Sequence, residues 1–414
     1  MKPVRKVVVT GMGAMTPFGF GVDPLWKGVS TGQSTVRTIQ SFETTGMPVN
    51  YASEMDDFDA AELVGRELPS TRDKCLKMSF VAGAAALKQA NLFDRDSRPA
   101  DLAIQTIVGT ALGPCYEADY SYGCYFKQGW KGVRPTTVPK SMFNSYASQL
   151  SVEYGLTGMN QTIACACASG AAAIGLAAQL IQFGLADAVL TGAVDSPLCG
   201  SMFAAWTNLR VLARHEDPKQ AARPFDRDRS GLVLGEGAGL LVLESEESAL
   251  RRGATPLAEL RGYGSSSDSS HLTAPTVDGP VRAIRQALDQ AGLAPDDINY
   301  VNAHGTATVA NDENEARALK EVFGVRGASL PISSTKSMLG HGMGASSALE
   351  AIICVEALRH QHVPPTINCE HPDPAAEGLD LVRGEGRPHR MRHTLSNSFG
   401  FGGANSVLIV SELS

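Results

Sequence analysis

The sequence predicts an α/β protein whose strands are mostly parallel and covered on both faces. Three observations predict it. Apolar runs of strand length alternate with helical patterns along the 414 residues. The runs are continuous rather than alternating, as strands buried on both sides require. There is also a faint internal echo: "AIQTIVGTALG" near residue 105 and "INYVNAHGTAT" near residue 300 both read as strand, Gly-Thr, small residues.

In chain order the strand candidates are "KVVVTG", "AIQTIVGT", "QTIACA", "ADAVLTGA", "GLLVLES", "YVNAHG" and "SVLIVSE". The helical patterns are "KMSFVAGAAALKQA", "AAIGLAAQLIQFG", "PVRAIRQALDQAG" and "GASSALEAIICVEALRH". No linker-like tract divides them. The first run opens "VVVTGMGAMTPFG", and Gly11-x-Gly13 after a strand imitates a dinucleotide fingerprint. The third glycine position holds Thr16, Pro17 follows, and no acidic residue closes a second strand, so nucleotide binding is not expected.

Composition removes several classes. With 43% hydrophobic and 19% charged residues the chain is ordinary globular material. A net charge of -7 and the lack of any Lys/Arg-rich run argue against nucleic acid as a partner. The eight cysteines form no compact framework, which predicts reduced thiols and a cytoplasmic setting. The basic start has no apolar run of signal-peptide length. The uncharged stretch Thr162 to Ile181 is the one candidate for a membrane span, and its glycines, Ser169 and Gln179 argue against that reading. A soluble protein is expected.

That same stretch, "TIACACASGAAAIGLAAQLI", carries the first chemical signal. Strand "QTIACA" runs into helix "SGAAAIGLAAQLI" with Cys167 at the turn. A side chain there sits near the positive end of a helix dipole, beside free backbone N–H groups, and both favour thiolate. Cys165 shares a strand face with Ile163 and is expected to fill core, its role left open.

A thiolate needs partners. His304 ("VNAHGTAT") follows an apolar strand, and His341 ("SSTKSMLGHGMGASS") opens an uncharged helix after a glycine. Lys336 stands five residues before His341, and Glu315 lies on the helix after His304, where it is expected to pair with Lys336. No metal is expected: the C-x-C spacing and the scattered histidines lack the usual zinc pattern. A cysteine protease would leave the second histidine and the lysine without a role.

Together "ACASG" at Cys167, "NAHGTAT" at His304, "STKSMLGH" at Lys336 and His341, "PFDRDRSGLVLGEGAGLLVLE" and the C-terminal "NSFGFGGANS" resemble the β-ketoacyl-acyl-carrier-protein synthases. The resemblance spans nearly the whole chain and is nearest to elongating condensing enzymes of type II fatty-acid and polyketide synthesis. It implies a thiolase fold: two βαβαβαββ halves, here 1–253 with the nucleophile and 254–414 with the histidines, in a five-layered α-β-α-β-α core. It implies a decarboxylative Claisen condensation of a Cys167-bound acyl group with malonyl carrier protein, giving a 3-oxoacyl carrier protein. His304 and His341 would hold the malonyl thioester oxygen, and Lys336 and Glu315 would support them. The N–H groups of Cys167 and Phe401 would form the oxyanion hole. Thr306 and Thr308 would hold the pantetheine arm, with Phe399, Phe401, Leu112 and Thr137 at the acyl pocket. No cofactor is implied, since phosphopantetheine arrives on the carrier.

The implied partners are an acyl carrier protein, malonyl and acyl thioesters, and a second subunit, as a homodimer or a heterodimer with a related chain. An acidic carrier needs a local basic patch on this acidic enzyme; Arg72, Lys74, Lys77 and Arg210 are the candidates. Three departures from the fatty-acid pattern stand out: Ala168 after the nucleophile, Cys165, and Thr136-Thr137 in place of bulky apolar residues. They favour a specialised polyketide or polyene substrate. Two alternatives remain. A non-catalytic chain-length-factor-like subunit would have lost the cysteine. A thiolase would carry a second cysteine where this chain has "NSFGFGG".

Overall fold

The computed structural model describes residues 4–94, 96 and 98–413. On the main path of the sheet, the first part of the chain supplies β1 (Val7–Thr16), β2 (Ile104–Gly109), β3 (Asn160–Ile163), β4 (Ala188–Asp195) and β5 (Gly237–Ser245). The second part supplies β6 (Ala258–Ser267), β7 (Tyr300–Asn302), β8 (Pro331–Ser333), a short β9 (Asp380–Leu381), β10 (His393–Gly400) and β11 (Ala404–Ser411). Across the hydrogen-bonded path they run β9-β8-β7-β10-β11-β6-β1-β5-β4-β2-β3.

With the short edge strand β9 set aside and the rest numbered within each part, both sets of five have one spatial order: first, fifth, fourth, second, third. Their orientations match as well. The second strand is parallel to the third and fourth, and the fifth is antiparallel to the fourth and first, in both sets. The two sheets meet edge to edge where Val8 and Val9 pair with Glu259 and Ala258. The faint sequence echo falls on β2 and β7, the second strand of each set. The sheets are therefore mixed, not mostly parallel. Continuous apolar patterning reports only that both faces are covered, whichever way a neighbour runs.

Helices α1 (Lys74–Gln89) and α2 (Ser145–Tyr154) lie on the outer face of the first sheet, α4 (Gly200–Asn208) follows β4, and α5 (Asp278–Ala291) and α6 (Val309–Phe323) cover the outer face of the second. Between the sheets lie α3 (Ser169–Gln182) and α7 (Gly344–His360), packed on each other. Helix α7 is buried from Gly344 to Leu358, so it carries no amphipathic face. This is the five-layered thiolase-type architecture. No helix among the described residues is long and apolar enough to cross a membrane.

The dinucleotide-like glycines have a packing role. A side chain at Gly11 or Gly13 would collide with the carbonyl oxygens of Ala86 and Ala82 on α1. The first strand of the second set repeats the device: side chains at Gly262 and Gly264 would strike Ala287 and Ala283 on α5. Gly264→Ala is therefore expected to destabilise the fold by about 1–3 kcal/mol, the usual cost of overpacking, read by urea unfolding. An unchanged midpoint would show that α5 can slide.

The strand β10 was invisible in the sequence because "HTLSNSFG" is polar. Its residues are nonetheless buried through Phe399, and three of their side chains find partners: Asn397 Nδ2 donates to Glu315, Thr394 Oγ1 donates to the carbonyl of Val410, and His393 Nδ1 lies 2.8 Å from Ser411 Oγ.

Candidate active site

The turn between β3 and α3 is built around a residue in the left-handed region: Ala166 has φ 47°. Ser169 clamps it. Its Oγ accepts from Cys165 N–H at 2.9 Å and donates to the Ala166 carbonyl at 2.6 Å. Gly170 lets α3 approach α7, since a Cβ there would lie 2.6 Å from the Gly344 carbonyl oxygen. The result seats Cys167 at the start of a buried helix, 8% exposed.

The Cys167 sulfur and one ring nitrogen from each of His304 and His341 lie within 4.8 Å of one another. The two imidazoles meet edge to face with centroids 5.4 Å apart. His304 follows β7, and Glu315 on α6 holds its loop by accepting from the N–H groups of His304 at 2.8 Å and Gly305 at 2.7 Å. His341 is fixed by its backbone, which bonds Val233 and Gly235, and by Ser346 Oγ at 3.3 Å from Nδ1. His304 Nδ1 and His341 Nε2 are buried without a hydrogen-bond partner.

Burial pushes both histidines well below their ordinary pKa, and the Lys336 ammonium pushes the same way. Both rings are neutral at physiological pH. Burial also raises the Cys167 thiol, to about 12, with Asp195 adding to it; Lys336 and the N–H groups of Phe401 and Cys167 oppose this and lose. The resting sulfur is thus a thiol, which corrects the thiolate expected from the helix dipole: desolvating a full charge costs more than a helix terminus returns. The rate of Cys167 alkylation by iodoacetamide should climb about tenfold per pH unit from pH 7 to 10 without levelling, since only the thiolate reacts. Peptide mass spectrometry at each pH checks this, and a plateau with a midpoint below pH 8 would contradict it.

The backbone N–H groups of Phe401 and Cys167, the two named for the oxyanion hole, both act to lower the Cys167 thiol's pKa. Phe401 follows Gly400, whose missing side chain makes room for Cys165 O and Cys167 N. Gly402 and Gly403, at φ 81° and 74°, turn the loop away. Phe401 is stacked on Trp206 at 5.9 Å. A cavity of about 270 Å³ joins these groups, with Cys167, His304 and His341 at its base and Thr306, Thr308 and Phe399 on its walls. Thr306 and Thr308 hydroxyls are 2.9 Å apart.

Several expectations need correction. Lys336 pairs with Glu350 on α7, not with Glu315. Glu315 instead serves the His304 loop and Asn397, and burial raises it to about 7. Leu112 and Thr137 do not line the cavity. Leu112 offers its N–H to Asp195, and Thr137 Oγ1 lies 3.1 Å from Ser121 Oγ. Lys74 is no surface cation: it turns inward to Glu236 and to the Met55 carbonyl. Arg72 is stacked over Tyr120 at 3.9 Å, and Lys77 is half-buried. Arg210 is exposed between two cavity-lining residues, Leu209 and Val211.

Sequence reasoning missed Asp195, Trp206 and Glu350. Asp195 is fully buried at the end of β4 and accepts from Thr110 Oγ1 and from the N–H groups of Ala111, Leu112 and Gly344, which ties the first sheet to the start of α7. Its signal was legible: an acid closing the apolar run "ADAVLTGAVD" has no solvent to face.

A buried thiol and two neutral imidazoles thus share one cavity with the N–H groups of the Phe401 loop. The β-ketoacyl synthase N-terminal domain family matches residues 4–249 and the β-ketoacyl synthase C-terminal domain family residues 257–370. The 3-oxoacyl-[acyl-carrier-protein] synthase 2 of Synechocystis sp. is 37% identical over 407 residues, covering 98% of this chain and 97% of that protein. Two solved structures superpose across 99% of this chain and 100% of theirs. The ishigamide ketosynthase/chain length factor has a TM-score of 0.91 at 35% identity. A type II polyketide synthase ketosynthase, solved with its acyl-carrier protein and bound to the hexaketide, has 0.90 at 31%. The chain belongs to the β-ketoacyl synthase family. Its activity is the 3-oxoacyl-[acyl-carrier-protein] synthase reaction, an acyl transfer that elongates chains in fatty-acid or type II polyketide synthesis.

Proposed function

We propose that Cys167 carries the growing acyl chain and that His304 and His341 serve the decarboxylating half-reaction. The observation that carries this reading is the meeting of the three side chains within 4.8 Å at the base of one cavity. In the first half-reaction the thiol attacks the acyl thioester of a carrier protein. Its proton passes through a neutral imidazole to the departing carrier thiolate, so a thiol is regenerated there and a thioester forms on Cys167. The tetrahedral oxyanion sits against the N–H groups of Cys167 and Phe401. In the second, malonyl carrier protein loses carbon dioxide, and donor N–H groups of the two histidines stabilise the enolate oxygen that appears as it leaves. The enolate carbon attacks the acyl-Cys167 carbonyl, the C–S bond breaks, the released Cys167 thiolate takes up one proton from solvent to return to the thiol, and a 3-oxoacyl carrier protein departs. Thr306 and Thr308 hold the pantetheine arm along the cavity wall. Lys336, neutralised by Glu350, and Glu315, bonded to the His304 loop, are positioning residues.

The chain is read as two halves, 1–253 and 254–414, each contributing one side of the site. The repeated strand order and the paired glycines of β1 and β6 support that division.

The substrate is read as a specialised polyketide or polyene chain, elongated together with a second subunit. Ala168, Cys165 and the Thr136-Thr137 pair support the first part. The second part rests on exposed apolar surface. Helix Cys115–Gln128 and the segment after it leave Tyr122, Phe126, Trp130, Met142 and Phe143 more than half exposed, more apolar surface than a lone chain tolerates in one region. In addition, β3 is an open edge of the sheet. A related subunit or a second copy would cover both. A carrier protein would dock with Arg210 at the cavity mouth. All eight cysteines are free, which supports a reducing, cytoplasmic setting.

The test is acyl-enzyme formation against carrier proteins loaded with saturated and with conjugated chains of several lengths, with and without a co-expressed related subunit. Faster loading of conjugated chains, dependent on the subunit, is expected. Equal loading of saturated chains by the chain alone would return it to fatty-acid elongation.

A further inference from the structure

We propose that the unacylated enzyme binds one Zn²⁺ ion through Cys167 Sγ and one ring nitrogen each of His304 and His341, and that this binding blocks acyl loading reversibly. The sequence hides such a site, because the three residues stand far apart and fit no zinc spacing. The fold assembles it. The three donor atoms already lie within 4.8 Å of one another, and all three residues are buried. Zinc bond lengths of about 2.0–2.3 Å around a tetrahedral ion put donor atoms about 3.3–3.6 Å apart, so contraction by roughly one ångström completes the site, within reach of small side-chain rotations. The chemistry of the set, one sulfur and two imidazoles, is what a borderline-soft ion prefers.

Second, each imidazole keeps one ring nitrogen that is not otherwise committed. His304 Nδ1 and His341 Nε2 are buried without a hydrogen-bond partner. A buried polar atom without a partner is costly, and a ligand that satisfies it recovers that cost. The fourth coordination position opens into the 270 Å³ cavity, where water would complete the shell. Binding exchanges the S–H bond for an S–Zn bond and releases one proton to solvent. The metal and an acyl group compete for one sulfur, so each excludes the other. The inference concerns the geometry of the three donors and does not depend on the condensing role given to them.

Co²⁺ is the probe, added to chelator-treated, full-length enzyme in a non-thiol reductant. One equivalent should produce a thiolate-to-cobalt charge-transfer band with the visible bands of a tetrahedral ion. Zn²⁺ should displace it, being the tighter binder at such sites. Alkylating Cys167 in the otherwise unaltered chain should abolish the band, which avoids any question of a misfolded variant. His304→Ala and His341→Ala should each weaken Co²⁺ at least about tenfold, their folding checked by metal-free melting. Zn²⁺ should also protect Cys167 from alkylation until a chelator is added. No band, a band that survives alkylation of Cys167, or histidine variants that bind like the parent would overturn the proposal. Acyl loading of the metal-free enzyme is read in parallel: loading without a cobalt band sinks the metal site alone, and a cobalt band without loading sinks the condensing assignment alone.

Discussion

Cys167→Ala should leave no acyl-enzyme after incubation with acyl carrier protein, and condensation should fall by at least about 10³-fold, as removal of a covalent nucleophile does elsewhere. Intact-protein mass spectrometry reads it: the parent gains one acyl mass, mapped to the peptide holding Cys167, and the variant gains none. The fold should survive, because alanine keeps the Cβ and the clamp of Ser169 on the turn acts through backbone groups. Cys167→Gln sharpens the test. An amide in place of the thiol blocks loading while occupying the position of the acyl group, so malonyl decarboxylation should persist without condensation. An acyl mass on Cys165, whose thiol is half-buried two residues away, would overturn the assignment.

His341→Ala should depress malonyl decarboxylation by about 10²–10³-fold, the usual cost of one donor to a developing oxyanion. Acyl loading should change much less. The imidazole is neutral and buried, and its Nε2 has no partner within the protein, so it is free to donate to an enolate oxygen once protonated at that nitrogen. Loading instead relies on the Cys167 and Phe401 N–H groups, which the substitution leaves in place. Release of labelled carbon dioxide measures one half-reaction, and acyl-enzyme mass the other. Equal losses in both would assign His341 to the thiol's proton transfer rather than to decarboxylation. A shift of the residual decarboxylation pH profile in His341→Ala, where the His304 ring loses one electrostatic neighbour, would show that the pair titrates together.

Some of this was legible in one dimension. The strand-turn-helix at Cys167 could be read because all its parts are local: an apolar run, a turn, a glycine-alanine helix. The two histidine loops could be read for the same reason. The strands β6 and β10 could not, since one alternates weakly and the other is polar, and both depend on neighbours that satisfy them. The Lys336–Glu315 pair failed because it was chosen by proximity in sequence, whereas Glu350 reaches Lys336 from α7. Lys74 failed as a docking cation because an acid 162 residues away, Glu236, draws it inward.

The order of residue types along the chain determined by itself which atoms are present for chemistry: one cysteine at a helix start, one histidine after a strand and one after a glycine, and glycines where backbones cross. Those signals survive because they are written in local backbone conformation and side-chain identity. Only the tertiary structure decided the protonation of Cys167, the partner of Lys336, the walls of the cavity and the closeness of three donor atoms. Desolvation and ion pairing are summed over everything within a few ångströms, and those neighbours arrive from positions far apart along the chain.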